Sequence, residues 1–171
     1  MLRAFLVTAV FLCGVLLGRD AERRLRQRRD LLAELIAAVK RLLMHMEYER
    51  RPLACMAAAC AGGAAAPVFG AFGAALEKGE PPAAAWAQAE EWALLRGGAF
   101  AALHPGDRAV LRAFMESLGA AGMEGEKRNA ELALAQLERR REEADAAYGS
   151  RGRVCRAMGA LCGAAVALLL L

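Results

Sequence analysis

The sequence has few of the side chains that carry out chemistry. It contains two histidines, His45 and His104, and two serines, Ser117 and Ser150. Neither histidine has a second metal ligand at a useful spacing, and neither serine stands in a nucleophile motif. The glycine pairs lack the lysine and hydroxyl residue of a phosphate-binding loop. We therefore expect a protein that is not an enzyme and that holds neither a cofactor nor a metal ion.

Signals for β-strands and for disulfide bonds are also missing. The chain has a single threonine and no run of alternating β-branched residues, which argues against a sheet. Its five cysteines include no Cys-x-x-Cys pair, and the thiols of a cytoplasmic domain stay reduced. We interpret these cysteines as small apolar side chains.

The chain does have clear helical periodicity. Between residues 31 and 46, apolar side chains recur at three- and four-residue spacing, as on one face of a long helix. Pro52, Pro67 and Pro105 stand where helices begin, and a last long helix starts at about Glu124. The pattern predicts an all-α fold, with a bundle of about six helices between the two ends of the chain.

Both ends are apolar, and each meets arginines on its inner side. Residues 4–18 and 157–171 carry no charge. The flanking arginines are Arg19, Arg23, Arg24, Arg26, Arg28 and Arg29 after the first run, and Arg151, Arg153 and Arg156 before the second. Arginine and lysine concentrate on the cytoplasmic side of a membrane. We therefore predict transmembrane helices at residues 1–18 and 154–171, and a cytoplasmic helical bundle domain at residues 19–150.

Each apolar run is short for a membrane span. Eighteen helical residues reach about 27 Å, against a hydrocarbon core of about 30 Å. Arginine side chains that extend to the interface, helix tilt or local thinning of the bilayer must therefore accommodate the difference. For the N-terminal run the alternative is a cleaved signal peptide, which the arginines after it disfavour. For the C-terminal run the alternative is a half-inserted anchor.

The formal charge of +4 comes from the flanks of the apolar runs. Residues 30–150 hold thirteen Lys and Arg against seventeen Asp and Glu, a net charge of −4. The basic residues therefore lie where they would contact membrane lipids. A nucleic-acid-binding domain would carry a basic face of its own, so we expect no nucleic-acid partner.

Each apolar end also carries a Gly-x-x-x-Gly motif, Gly14 with Gly18 and Gly159 with Gly163. Such glycines let helix backbones approach closely in lipid. Our hypothesis is that the two ends pack antiparallel through them. Chance is the alternative, because 17 of the 171 residues are glycine.

Several local patterns occur in one order along the chain. After the Arg-rich helix start come Tyr48 with Pro52-Leu53, Trp86 after Lys78-Gly79, and Leu111-x-x-Phe114-x-x-x-Leu118-Gly119 before a charged helix and an apolar C-terminus. Over essentially its whole length the chain resembles stage III sporulation protein AB of endospore-forming bacteria, although Leu43 and His45 replace acidic residues often seen there. We assign to the core Tyr48, Pro52, Leu53, Trp86, Leu111, Phe114 and Leu118.

The resemblance implies a function that the residues alone do not. It implies a non-enzymatic platform or scaffold of the mother cell–forespore channel complex needed for endospore formation, in the mother-cell membrane around the forespore. This family is similar to the inner-membrane platform of type II secretion and type IV pilus machines. The implied partners are other channel subunits and a secretion-type ATPase. A generic membrane-tethered helical adaptor in another pathway is the alternative, and self-association into a homo-oligomer stays open.

We expect both termini to lie outside the cytoplasm and the middle inside, because the arginines flank the inner side of each apolar run. A phosphatase fused to the C-terminus should be active, and a fluorescent protein inserted at Gly79 should fluoresce. An inactive C-terminal phosphatase would instead indicate a half-inserted anchor.

Overall fold

The computed structural model describes residues 2–48, 52–60 and 62–169, with side chains mainly between residues 12 and 150. Within these ranges the chain forms six α-helices and no β-strand, which confirms the all-α prediction. The helices are α1 (Leu2–Tyr48), α2 (Leu53–Cys60), α3 (Ala66–Glu77), α4 (Pro82–Arg96), α5 (Pro105–Ser117) and α6 (Met123–Leu169). Short 3₁₀ helices at Gly63–Ala65 and Gly98–Ala102 lie between them.

Prolines set the starts of three of the four helices between α1 and α6. Pro67 is the second residue of α3, Pro82 the first of α4 and Pro105 the first of α5. A proline costs no hydrogen bond there, because the first amides of a helix have no partner within the helix. At α5 the carboxylate of Asp107 also accepts a hydrogen bond from the backbone N–H of His104 at 3.0 Å. This contact fixes the direction in which the chain enters α5.

The chain divides into two compact units. One consists of residues 30–142, and the other of residues 1–29 with 143–171. The division lies inside α1 and α6, further from the termini than the predicted domain limits at residues 19 and 150. Since both helices continue through it, no linker marks this boundary in the sequence.

The core of the 30–142 unit is built on one face of α1. Six large apolar side chains of α1 are almost fully buried, and they are Leu31, Leu32, Leu35, Ile36, Val39 and Leu42. Within this unit α1 and α6 run antiparallel, because Lys40 pairs with Glu138 at 2.8 Å and Glu47 with Lys127 at 3.9 Å. The contact partner on α6 therefore moves toward the start of α6 as the chain proceeds along α1.

Three aromatic side chains join α3 to α4. The Trp86 ring on α4 meets Phe69 and Phe72 of α3 edge-on, with centroids 5.8 and 5.5 Å apart. Such edge-to-face pairs are favourable beyond the area they bury. α3 also lies close to α2, where a Cβ added at Gly73 would stand 3.0 Å from the carbonyl oxygen of Ala54. A larger residue at position 73 would therefore force the two helices apart.

The predicted core residues divide into buried and exposed ones. Trp86, Leu111, Phe114 and Leu118 are buried, and Leu53 is half-buried. The assignment of Tyr48 and Pro52 to the core is wrong, because Tyr48 is 78% exposed and Pro52 is exposed as well. Tyr48 follows the exposed Met44 by one turn on α1, on a side that points away from the buried stripe.

No helix within the described ranges contains a stretch long and apolar enough to cross a membrane. The transmembrane helices predicted at residues 1–18 and 154–171 are therefore not confirmed.

Truncating Phe114 to Ala should lower the free energy of unfolding by about 3–5 kcal/mol, because the side chain is buried and its neighbours cannot fill the volume. Denaturant titration followed by circular dichroism would measure the loss. The matched control is Leu132→Ala at a side chain that is 58% exposed, for which we expect a change within about 0.5 kcal/mol. A loss below about 1 kcal/mol for Phe114→Ala would contradict its place in the core.

Candidate interaction surfaces

In the described part of the chain, the side chains that could act in catalysis or bind a metal ion do not cluster. His45 lies half-buried on α1, and His104 is exposed before α5. Among the described residues, no group of three or more His, Cys, Asp or Glu is placed to hold a metal ion. The candidate functional features are therefore surfaces and grooves.

An ion pair with a buried carboxylate joins α4 to α5. Glu90 of α4 is only 3% exposed, and its two carboxylate oxygens accept hydrogen bonds from Nε and Nη2 of Arg112, each at 2.9 Å. Arg108 approaches the same carboxylate at 3.9 Å. The hydrogen bond and the charge of Glu90 raise the pKa of the Arg112 guanidinium above its ordinary value. This two-pronged geometry fixes the spacing of the two helices as well as pairing their charges.

A second buried carboxylate closes the turn between α5 and α6. Oε1 of Glu126 accepts hydrogen bonds from the backbone N–H groups of Gly119 at 2.8 Å and Ala121 at 3.3 Å. Gly119 has a positive φ of 82°, a conformation that suits glycine. Glu126 is thus explained as a structural cap, and we assign it no function.

The groove between α4 and α5 lies beside the Glu90–Arg112 pair. Its volume is about 460 Å³, and its lining combines apolar and acidic side chains with one arginine, namely Ala87, Glu90, Glu91, Leu94, Leu95, Arg112 and Glu116. Leu95 is 82% exposed. We refer to this feature as the α4–α5 groove.

A smaller groove lies between α5 and α6. It has a volume of about 180 Å³ and an uncharged lining of Val110, Ala113, Phe114, Ser117, Asn129, Leu132, Ala133 and Gln136. Each helix contributes residues at spacings of three and four, as expected of two helices packed side by side. Ala113, Ser117 and Ala133 contribute small side chains to this lining.

A third cavity lies where α4 ends. It has a volume of about 310 Å³ and is bordered by Pro67, Trp92, Arg96 and Phe100, among others. The guanidinium of Arg96 lies over the Trp92 ring at 4.7 Å, so this cation is already engaged by an aromatic face. Gly97 and Gly98 adopt positive φ values of 70° and 78° at its edge.

The arginines predicted to flank the membrane occupy different environments. Arg19, Arg23, Arg24 and Arg26 are exposed, whereas Arg28 is buried. Within the unit formed by residues 1–29 and 143–171, Arg29 lies 3.7 Å from Asp145 and 4.8 Å above the Tyr148 ring. Arg28 and Arg29 therefore contribute to packing, whereas the other four arginines lie on the surface, where Arg24 pairs with Asp20 at 3.0 Å. The side chains of Arg151, Arg153 and Arg156 lie outside the described residues.

The glycines predicted to pack the two ends together are described only in part. Gly18 is buried and Gly14 is half-buried. The surroundings of Gly159 and Gly163 lie outside the described residues, so their packing stays a prediction.

No motif in the sequence marks the residues of the α4–α5 groove as a site. One signal was present, since Glu90 follows Trp86 by four residues and precedes Ala93 by three. A charged residue on the apolar face of a helix usually has a partner when buried. The partner itself, Arg112, lies 22 residues away and could not be chosen from among the other arginines.

The described part of the chain is thus an all-α fold with grooves between its helices. The model of one family, stage III sporulation protein AB, matches residues 3–171. The chain therefore belongs to the stage III sporulation protein AB family, which confirms the resemblance predicted from its motifs and gives it a role in sporulation. No curated protein and no solved structure gives a significant match.

Replacing Glu90 with Gln should lower the free energy of unfolding by about 1–3 kcal/mol, because it removes charge-assisted hydrogen bonds from a buried site. Thermal or denaturant unfolding followed by circular dichroism would measure this loss. Glu91→Gln is the matched control, since the neighbouring side chain is exposed, and it should change stability by less than about 0.5 kcal/mol. Equal effects of the two substitutions would show that the buried pair is not stabilising.

Proposed function

We propose that this protein is a non-enzymatic platform of the mother cell–forespore channel complex, anchored in the mother-cell membrane through both ends of the chain. Its bundle would lie in the cytoplasm, where it would bind a secretion-type ATPase and other channel subunits. The mechanism is organisational: the protein holds partners at a fixed place on the membrane and makes or breaks no covalent bond.

The observation that carries this proposal is the family match over almost the whole chain, residues 3–171. The match includes both apolar ends as well as the bundle between them. Membership gives the role in sporulation, and the platform role follows from the likeness of this family to the secretion platforms described above.

The distribution of charge supports anchoring at both ends. The uncharged runs at residues 4–18 and 157–171 each meet arginines on the inner side, as the positive-inside rule requires for two spans of opposite direction. The exposed arginines Arg19, Arg23, Arg24 and Arg26 would then lie at the anionic inner surface of the membrane, to which each would contribute favourable attraction.

Pairing of the two ends is supported by the contacts of Arg29. Arg29 of α1 lies level with Asp145 and Tyr148 of α6, and α1 and α6 run antiparallel within residues 30–142. Gly18 precedes Arg29 by eleven residues. On α6, residues 156 and 159 follow Asp145 and Tyr148 by the same number. If the register continues, Gly18 lies level with the segment that contains Gly159, as the glycine hypothesis requires.

The proposal can be tested in the sporulating organism itself. Deleting the gene should block formation of heat-resistant spores after engulfment, and the wild-type gene should restore it. An affinity-tagged wild-type protein should co-purify from membranes of sporulating cells with the secretion-type ATPase. Vegetative growth should be unchanged, because the complex forms only between mother cell and forespore.

A matched variant that lacks residues 2–18 separates anchoring from folding, since the 30–142 unit has its own core. This variant should accumulate, yet it should fail to restore spores. Full restoration by the truncated protein would overturn the anchoring role. Absence of the ATPase from the purified wild-type complex would overturn the platform role.

A further inference from the structure

The α4–α5 groove presents an apolar side chain that the fold does not bury. Leu95 is the most exposed of the large hydrophobic side chains that the structure describes, at 82%. Single exposed leucines are ordinary, but Leu95 borders a groove of about 460 Å³ next to Leu94 and Ala87. All three residues lie on α4, with Glu91 between Ala87 and Leu95 at four-residue spacing.

The rim of the groove is acidic. Glu91 and Glu116 both line it, both are exposed, and neither carboxylate has a described ion pair. Arg112 is bound by both oxygens of Glu90, and the negative charge of Glu116 also helps to raise the pKa of this guanidinium. The lining therefore carries three carboxylates and one guanidinium, a net charge of −2, beside the apolar residues of α4.

The groove is also formed in advance of any partner. Its floor contains the Glu90–Arg112 fork, with both hydrogen bonds at 2.9 Å and the carboxylate almost fully buried. A fixed floor lowers the entropy that a partner must lose to bind. Along α4 the lining extends from Ala87 to Leu95, which corresponds to about 12 Å, or two helical turns.

We propose that the α4–α5 groove binds a basic amphipathic helix of a partner protein. Apolar side chains of that helix, spaced at three, four and seven residues, would cover Leu94 and Leu95. Lysine or arginine side chains on its flank would pair with Glu91 and Glu116. An acidic helix or an anionic membrane surface would meet repulsion from the same two carboxylates. This inference rests on the proposed platform function, which requires a partner-binding surface.

The test uses the full-length protein in nanodiscs of zwitterionic lipid. The probe is a fluorescent synthetic helix with leucines on one face and lysines on the other, and its twin carries glutamate in place of lysine. Fluorescence anisotropy should show saturable binding of the lysine peptide, weakened by added salt. The glutamate twin, and empty nanodiscs, should give little binding.

Substitutions then locate the peptide on the protein. Leu95→Ala should weaken binding of the lysine peptide at least about tenfold, as for a central interface residue. Glu91→Gln combined with Glu116→Gln should do the same. The matched controls are Leu132→Ala, and Glu77→Gln combined with Glu131→Gln, at exposed positions outside the groove. These should change the dissociation constant by less than about twofold.

Several outcomes would overturn the groove as a basic-helix site. Equal binding by the groove variants and the controls would place the peptide elsewhere. Tighter binding of the glutamate twin would reverse the assigned charge. If wild-type protein sediments as a dimer and Leu95→Ala as a monomer, the occupant is a second copy of this chain. Unchanged circular dichroism of each variant verifies that the fold is intact.

The two proposals fail in distinguishable ways. If the groove does not bind the peptide, spore formation still depends on the intact gene, and the ATPase still co-purifies. If the platform role is wrong, the deletion strain forms spores normally, whereas peptide binding to the purified protein is unaffected.

Discussion

The 30–142 unit depends on burying one apolar stripe of α1. Six leucine, isoleucine and valine side chains between residues 31 and 42 are almost completely removed from water, which is the dominant favourable contribution to folding. An isolated amphipathic helix cannot bury that stripe, so the antiparallel α6 and the short helices must cover it. Glu34 on the same helix also caps the 3₁₀ turn, since its carboxylate accepts a hydrogen bond from the amide of Ala65 at 3.1 Å.

Buried and exposed carboxylates have different roles in this unit. The buried carboxylates of Glu90 and Glu126 each receive two hydrogen bonds and hold neighbouring elements together. The exposed carboxylates of Glu91 and Glu116 form no ion pair among the described residues, although the charge of Glu116 helps to raise the pKa of Arg112. They are the carboxylates that the proposed basic helix would contact.

Local signals in the sequence were enough to predict the helices. Pro82 and Pro105 are the first residues of their helices, and they mark these starts without any contact from elsewhere in the fold. The three-residue spacing of Leu111 and Phe114 indicates which face of α5 is buried. Tyr48 was misassigned because an aromatic residue at the end of a helix can point either way, and only the tertiary fold decides. The α4–α5 groove was missed for the same reason, since it depends on which arginine reaches Glu90.

The Glu90–Arg112 pair also gives the groove a distinctive response to heat. Moving charges out of water becomes less unfavourable as temperature rises, because the hydration of ions has a strongly negative entropy. Hydrophobic stabilisation per unit area levels off over the same range. The contact that fixes α4 against α5 therefore gains in relative importance on warming, and the floor of the groove should keep its shape at temperatures where purely apolar contacts between helices loosen.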